Sequence, residues 1–440
     1  MVFPALGTFQ RELGGTTAWV TWVLTAFLVA AAVTTPIVGK LGDQFGKERM
    51  LLVSLGLFLA GCVGAAAAWN LWSLIGFRAL AGAGGALFPL SFAIIRDEFP
   101  PERVQVGIGL LSSVFGVGGG FGIVLSGVIV DNLSWRYLFL LGSIPVAASL
   151  VLVHRYVPES PIRTPSRVDV PGALLLSAAL VALLVALTEG EQWGWSSAPI
   201  VALGLASAFL FVAWSLVELR SREPMVDMRM LSHPPVLLTN LTTMISGYAL
   251  FSCFVLIPSF VQAPGARGYG FGASATQAGL YLLPGSVAML FSGPLAGLVG
   301  RRHGPKWSLA GGMLLVAIAA VLLSQAHDRP WEVAAASGAL GFGVGAAFAA
   351  MVALIAANVD PREMGIATGM NTAVRVVGAV VGGQVAAVLL TVQTLDGTSA
   401  PSESAFTWAF GLSAAAAVAA AAIAVCITQR PLRRLAHAPA

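Results

Sequence analysis

The chain has 440 residues, of which 57% are hydrophobic and only 10% are charged. Soluble domains have roughly 45–50% apolar and about 25% charged residues, so this composition excludes a soluble enzyme and a disordered protein. The net charge of +4 would suit a nucleic-acid binder, but the placement of the basic residues favours a membrane instead. Cys62, Cys253 and Cys426 lie singly in apolar runs, which excludes a disulfide framework and a zinc site. No intact GxGxxG or P-loop sequence is present, so we expect no cofactor and no ATP-driven pump.

Thirteen apolar stretches are long enough for a helix that crosses a membrane, which needs about 20 residues. Arg78 and Arg375 are the two charged residues inside these stretches. The strict alternation expected for the strands of a β-barrel is absent from them. The sequence therefore predicts an all-α polytopic membrane protein with 13 transmembrane helices. The stretches cover approximately residues 18–39, 50–69, 71–95, 104–130, 137–153, 170–188, 199–217, 236–261, 275–299, 307–326, 333–359, 365–392 and 405–428.

Lysine and arginine are distributed unequally between alternate loops. Eighteen of the 24 lie in one set of loops and in the C-terminal tail, and four lie in the other set. Cytoplasmic loops keep positive charge, so the sequence predicts a cytoplasmic C-terminus and, with thirteen spans, a chain that begins outside. Nothing typical of a signal peptide explains the export of that end. We therefore expect that a first helix is missing ahead of Met1.

Two further features concern the location of the protein. Arginine greatly outnumbers lysine and Ala and Gly are abundant, which indicates a GC-rich coding sequence and favours a bacterial source. We therefore predict a multi-pass protein of the plasma (inner) membrane of a bacterium. Seven tryptophans lie at the predicted outer ends of spans, as in an aromatic belt: Trp69, Trp72, Trp135, Trp193, Trp195, Trp331 and Trp408.

The sequence contains an internal duplication. The loop at 39–46 recurs at 297–304 with the same glycine spacing, and two further matches in other segments have offsets of 259 and 260 residues. Membrane transporters are often built from two related bundles of this kind. The sequence predicts four units: an N-terminal helix bundle without its first helix (1–155), linkers with an inserted transmembrane hairpin (156–235), a C-terminal helix bundle (236–428) and a basic cytoplasmic tail (429–440).

The loop between the first two spans has the sequence GKLGDQFGKER at residues 39–49. Glycines at its ends are suited to a tight turn, Lys47 and Arg49 would keep the loop in the cytoplasm, and Asp43 offers a charge to a helix N-terminus or an arginine. The loop resembles the signature loop of the major facilitator superfamily. That resemblance implies that Asp43 steadies the outward-facing state through a helix that starts near Gly365 in the other half. The candidate coupling residues are Gly39, Leu41, Asp43, Gly46, Lys47 and Arg49.

Two buried arginines and a glycine-rich run are further candidates. Arg78, in LIGFRALAGAG, resembles the fourth-helix arginine that takes part in proton coupling in this superfamily, and snorkelling to the membrane surface is its alternative. Arg375 is expected near the middle of its span, facing the interior or pairing with an acid in the missing helix. The run at 118–127 resembles the fifth-helix antiporter motif, but Ile123 and Ser126 depart from it. Its expected role is close helix packing through Gly118, Gly122 and Gly127.

The segments 2–14 and 131–136 and the inserted hairpin resemble the 14-helix drug:proton antiporter branch of the superfamily. This implies the major facilitator fold, two pseudo-symmetric six-helix bundles plus the hairpin, and proton-coupled efflux of hydrophobic or amphipathic compounds by a monomer. Its partners would be a small-molecule substrate, protons and the lipid bilayer, with no nucleic acid and no enzymatic activity. A uniporter or importer of a small metabolite, with Arg78 and Arg375 binding an anionic group, is the alternative, and a membrane receptor or scaffold is a third.

The sequence offers no evident proton carrier. Every Asp and Glu lies in a loop or at the end of a span, and the five histidines are expected in loops. The antiporter branch carries an acid in its first helix, so either the missing helix supplies the proton carrier or the coupling differs. The 440-residue chain is accordingly expected to be impaired in proton-coupled export.

Overall fold

The computed structural model describes residues 5–14, 17–160, 169–221, 224–265, 268–393 and 401–428. Twelve helical segments in this part of the chain are long and apolar enough to cross a membrane. The predicted span at 104–130 lies in a further helix of 32 residues, and each predicted span coincides with one helix or with two consecutive helices. The predicted polytopic α-helical fold is thus confirmed. The helices are α1 (Leu6–Leu13), α2 (Thr17–Phe45), α3 (Lys47–Ala66), α4 (Leu71–Ala83), α5 (Leu87–Glu98), α6 (Pro101–Asn132), α7 (Arg136–Tyr156), α8 (Val170–Trp193), α9 (Ala198–Arg220), α10 (Met228–Ser232), α11 (Pro234–Gln262), α12 (Ala275–His303), α13 (Pro305–Gln325), α14 (Pro330–Asn358), α15 (Met364–Val392) and α16 (Glu403–Cys426).

We call the end of the bundle with most of the basic connections the basic end; it comprises residues 39–49, 96–103, 155–160, 224–229, 301–306 and 358–366. Two connections there consist of a single glycine, Gly46 between α2 and α3 and Gly304 between α12 and α13. Their φ angles of 118° and 98° lie in the region that favours glycine over other residues. Gly39, predicted to form the same turn, instead lies inside α2, so that prediction is wrong.

The stretch predicted as one span at 71–95 is two helices, because the chain turns between α4 and α5. The amides of Gly84 and Gly85 bond to carbonyl groups only three residues back. The turn packs tightly against a neighbouring helix, since a Cβ atom added to Gly84 would lie 2.5 Å from the carbonyl oxygen of Ser54 on α3. Glycine is needed at this position because a side chain would push α3 away.

The internal duplication is visible in the packing between helices. A Cβ atom added to Gly39 on α2 would lie 2.4 Å from the carbonyl oxygen of Gly365 on α15. A Cβ atom added to Gly297 on α12 would lie 2.7 Å from the carbonyl oxygen of Gln105 on α6. These contacts are related by the sequence offsets of the repeat, so α2 with α15 and α6 with α12 are equivalent helix pairs. Three further glycine contacts recur in the two halves. The contact of Gly109 with Gly293 corresponds to that of Gly369 with Thr35, that of Gly82 with Phe27 to that of Gly341 with Gly285, and that of Gly84 with Ser54 to that of Gly343 with Gly312.

The inserted hairpin consists of α8 and α9, which pack against each other. Helix α8 also contacts α2 and α15, which belong to the two different halves. The hairpin therefore touches both halves, although the domain boundaries given above stay a prediction, and the predicted tail lies outside the described residues. At the basic end, one apolar cluster joins the hairpin and the segment after it to α15; it includes Leu176, Leu180, Trp214, Met225, Val226, Met364 and Ile366.

Six of the seven tryptophans predicted for the aromatic belt are 46% to 72% exposed. The seventh, Trp135, is fully buried, so the prediction is wrong for this residue. Its ring packs edge-on against Phe9 at a centroid distance of 5.2 Å, and its Nε1 donates to a carboxylate oxygen of Glu12 at 2.8 Å. Helix α1 thus covers this ring.

Candidate coupling site at the basic end

Asp43 joins the two halves of the molecule. Its carboxylate accepts hydrogen bonds from the backbone amides of Gly365 at 3.2 Å and Ile366 at 3.1 Å, in the first turn of α15. A helix N-terminus carries unpaired N–H groups and a positive partial charge, so it favours a carboxylate at this position. The residue is 2% exposed, and the close approach of Gly39 to Gly365 brings α2 near enough for these bonds.

Lys47 is fully buried at the start of α3. Its ammonium group contacts the carboxylate of Asp97 on α5, and it lies 3.8 Å from the carboxylate of Asp43. The hydroxyl of Ser160 donates to the same Asp97 carboxylate. Burial of a lysine is costly unless it is paired, and this arrangement supplies the charges that pair it.

Glu159 closes the turn at the start of α3. It accepts hydrogen bonds from the amides of Glu48 at 3.2 Å and Arg49 at 3.4 Å. The Arg49 side chain is 66% exposed and lies 3.8 Å from the same carboxylate, so this ion pair contributes little. A Cβ atom added to Gly46 would lie 2.3 Å from Glu159, and Leu41 is half-buried on α2.

Sequence reasoning missed three members of this site. Asp97 and Glu159 were expected only as loop acids, and Arg96 only as a marker of the cytoplasmic side. Arg96 donates to the carbonyl oxygen of Val359 at 2.8 Å and so makes a second polar contact between the halves. Asp97 lies two residues after the predicted stretch at 71–95, and this position at the end of a span is the signal that could have identified it.

The segment after the inserted hairpin also reaches the basic end. The Lys40 ammonium donates to the carbonyl oxygen of Pro224 at 3.2 Å. Near it, burial and the charge of Asp227 raise the pKa of the Glu363 carboxyl, Asp360 raises it further, and Lys40 opposes the shift. The pKa of Glu363 therefore depends on charges from α2 and from the segment after the hairpin.

We expect acidification to stabilise this arrangement. The pKa of Glu363 is raised in the folded state, so its ionised form destabilises that state, and the destabilisation disappears as the pH falls through the raised pKa. Relative to Glu363→Gln, the wild-type protein should therefore gain thermal stability as the pH is lowered. Unfolding temperatures of both proteins across a pH series measure this effect, and parallel profiles would contradict it.

Arg78 lies on α4 and is 8% exposed. Its Nε donates to the carbonyl oxygen of Val23 on α2 at 3.1 Å, and its guanidinium lies 4.3 Å from the centroid of the Phe27 ring. The buried position predicted for it is observed, with a backbone carbonyl and an aromatic ring as its contacts. Its role in proton coupling stays a prediction.

Arg375 is half-buried on α15, with its guanidinium 4.7 Å from the centroid of the Phe348 ring on α14. One turn earlier, the Asn371 amide donates to Asn240 and Thr243 of α11, both at 2.8 Å. The polar residues near Arg375 therefore connect helices of the C-terminal half. Whether Arg375 faces an aqueous cavity stays a prediction.

The glycine-rich run on α6 packs unevenly. A Cβ atom added to Gly127 would lie 3.2 Å from Thr276 on α12, and Gly122 is buried. Gly118 is exposed, and among the described residues no atom of another helix lies within 4 Å of its Cβ position, so the predicted close packing is wrong there. The equivalent glycine, Gly378, packs on the backbone of α11.

One group of possible metal ligands lies at the opposite end of the bundle. Donor atoms of His327, Asp328 and Glu403 fall within 4.8 Å of one another. His327 lies in the connection between α13 and α14, as expected, and it is 6% exposed. Its Nδ1 lies 2.8 Å from the carbonyl oxygen of Leu323 and its Nε2 lies 3.1 Å from Glu403, so the ring bridges two neighbouring helices.

Comparison with known proteins identifies relatives over most of the chain. The sequence pattern of the Major Facilitator Superfamily matches residues 1–270 and 239–439. Multidrug resistance protein 3 of Bacillus subtilis is 32% identical over 392 residues, which are 87% of this chain and 74% of that protein. The tetracenomycin C resistance and export protein of Streptomyces glaucescens is 27% identical over 87% of this chain and 70% of its own length. The chain spans 55% of a longer relative from Mycobacterium tuberculosis that is 32% identical.

The fold is also similar to that of solved structures. The proton:xylose symporter XylE has a TM-score of 0.63 with this chain, covering 96% of this chain and 90% of that one at 14% identity. Likeness at this level of identity concerns the fold. The double match of the family pattern agrees with the equivalent helix pairs, and the chain therefore belongs to the Major Facilitator Superfamily.

Proposed function

We propose that the protein exports drugs or other hydrophobic and amphipathic compounds across a bacterial cell membrane, driven by the proton gradient. The names of its relatives support this proposal, since they include multidrug resistance, tetracenomycin C export and methylenomycin A resistance. In this role the protein is a transporter and not an enzyme. It works as a monomer whose partners are the substrate, protons and lipid, with the basic end and the C-terminus in the cytoplasm.

The observation that carries the proposal is the contact between Asp43 and the first turn of α15. It joins the two halves through two hydrogen bonds to a charged group, each worth about 1.5–3 kcal/mol. Such a contact stabilises one conformation, and it is weak enough to break during a transport cycle. With the basic end in the cytoplasm, this arrangement closes the cytoplasmic side, and breaking the contact opens it.

Binding of an anionic metabolite through Arg78 and Arg375 is less well supported. The guanidinium of Arg78 is buried against Phe27 and bonded to a backbone carbonyl, so an anion would have to displace both contacts. In the described part of the chain, no contact favours import of an anion or a receptor role over export.

We expect Asp43→Asn to lower the rate of proton-driven export by about tenfold, because the neutral amide loses the charge that favours the α15 N-terminus. Substrate affinity in detergent should stay nearly unchanged, since Asp43 lies at the edge of the bundle. Export is measured in vesicles that contain the purified protein, with Glu98→Gln, which alters an exposed carboxylate at the same end, as the control.

Two results would contradict the proposal. Lost substrate affinity with normal turnover in Asp43→Asn would place Asp43 in substrate binding instead of conformational control. A wild-type protein that moves no lipophilic cation, neutral drug or anion, either under a proton gradient or down the compound's own concentration gradient, would overturn export itself.

A further inference from the structure

The inserted hairpin contains a buried carboxylate that the gating contact does not use. Glu189 lies one turn before the C-terminal end of α8 and is 4% exposed. One carboxylate oxygen accepts a hydrogen bond from the indole Nε1 of Trp22 on α2 at 2.7 Å. The site lies at the end of the bundle opposite the basic end, on a helix that contacts both halves.

A second buried glutamate of the hairpin has hydrogen bonds and a helix N-terminus that stabilise its carboxylate. Glu218 on α9 is 3% exposed and accepts from the Trp214 indole at 3.0 Å and from the amide of Val226 at 3.3 Å. It also lies at the N-terminal turn of α8, because a Cβ atom added to Gly172 would be 2.7 Å from its carboxylate oxygen. The positive end of a helix stabilises a negative charge at that position.

In the described part of the chain, Glu189 has neither the backbone amide nor the helix N-terminus that stabilise Glu218. It lies near the C-terminal end of α8, where the helix carries a partial negative charge. Among the described residues, no lysine, arginine or histidine lies within ion-pair distance of its carboxylate. An ionised carboxylate buried at the membrane is costly without a cationic partner, so the geometry indicates a position that a cation occupies.

The surroundings indicate which kind of cation fits. Metal cations such as Ca²⁺ require six or more oxygen ligands, whereas the contact that the structure shows for the Glu189 carboxylate is the indole N–H of Trp22. Trp22 bonds to the carboxylate, and a Cβ atom added to Gly190 would lie 2.6 Å from the Trp195 ring. The faces of indole rings attract organic cations. A carboxylate beside such rings is suited to an organic cation with an apolar body.

We propose that Glu189 and Trp22 bind the positively charged group of an organic cation where the inserted hairpin meets α2. The carboxylate neutralises the cation, and the indole either packs on its apolar body or returns to the carboxylate when the site is empty. That the bound cation is an exported substrate rests on the proposed function. That Glu189 binds an organic cation does not depend on export.

The test measures binding of tetraphenylphosphonium to the purified full chain in detergent, with no gradient present. Glu189→Gln is expected to weaken binding by at least about tenfold, because the change removes the charge and keeps the shape. The matched control is Glu12→Gln, since Glu12 is an exposed carboxylate that also accepts from an indole. Triphenylphosphine oxide, a neutral compound of similar shape, should bind the wild-type protein and Glu189→Gln equally.

Unchanged tetraphenylphosphonium binding in Glu189→Gln overturns the proposal. An equal loss of binding for tetraphenylphosphonium and triphenylphosphine oxide also overturns it, because it would indicate a structural role for Glu189. Because binding is measured without transport, failure of export in vesicles would refute the proposed function and leave this result intact.

Discussion

Gly39→Val is expected to lower proton-driven export by at least about tenfold, because the new side chain separates α2 from α15. A Cβ atom at this position lies 2.4 Å from the carbonyl oxygen and 2.8 Å from the carbonyl carbon of Gly365, and both are backbone atoms that cannot rotate away. Overpacking of this kind costs about 1–3 kcal/mol. The cost applies to the arrangement in which Asp43 reaches α15, so the basic end closes less often.

The matched control is Gly56→Val on α3. Among the described residues, no atom of another element lies within 4 Å of the Cβ position of Gly56, so this variant tests only the effect of valine in a membrane helix. Gly297→Val, at the equivalent contact with Gln105, should behave like Gly39→Val. Export by Gly39→Val at the rate of Gly56→Val would show that the α2–α15 contact does not limit transport.

Lys47→Met is expected to destabilise the protein by about 3–5 kcal/mol, because it leaves the charges of Asp97 and Asp43 buried without their partner. The Lys47 and Asp97 side chains are both fully buried, so water cannot replace the lost interaction. The free energy of unfolding in detergent measures the effect. Stability should return in large part when Asp97 is also replaced, as in Lys47→Met with Asp97→Leu.

The exposed ion pair two residues further on supplies the control. Arg49→Gln removes a charge that is 66% exposed, and a pair of this kind contributes about 0–1 kcal/mol. If Lys47→Met unfolds at the same denaturant concentration as Arg49→Gln, the buried network has no special role in stability.

The helices and their duplication could be predicted because their signals are local in sequence. The length of an apolar stretch decides whether a helix crosses a membrane, and thirteen such stretches coincide with observed helices. The spacing of glycines in the repeat reflects close helix approaches, and the contacts of Gly39 and Gly297 follow the same offset.

The candidate site could be predicted only in part, because its chemistry depends on partners from distant segments. Asp43 could be assigned to a helix near Gly365 only through resemblance to a family. The burial of Lys47 depends on Asp97, which is 50 residues away. Glu189 was expected at the end of a span, but its burial depends on Trp22, 167 residues away. Glycine spacing alone could not show that Gly39 lies inside a helix.

The most direct test of alternating access is the distance between the two halves at the basic end. Spin labels at Glu102 and Arg302, both exposed, report on α6 and α12 there, after Cys426 and the two buried cysteines have been replaced. The account predicts a short and a long distance in the wild-type protein, with the population moved from short to long by Asp43→Asn. A single distance that neither substrate, pH nor Asp43→Asn changes would contradict it.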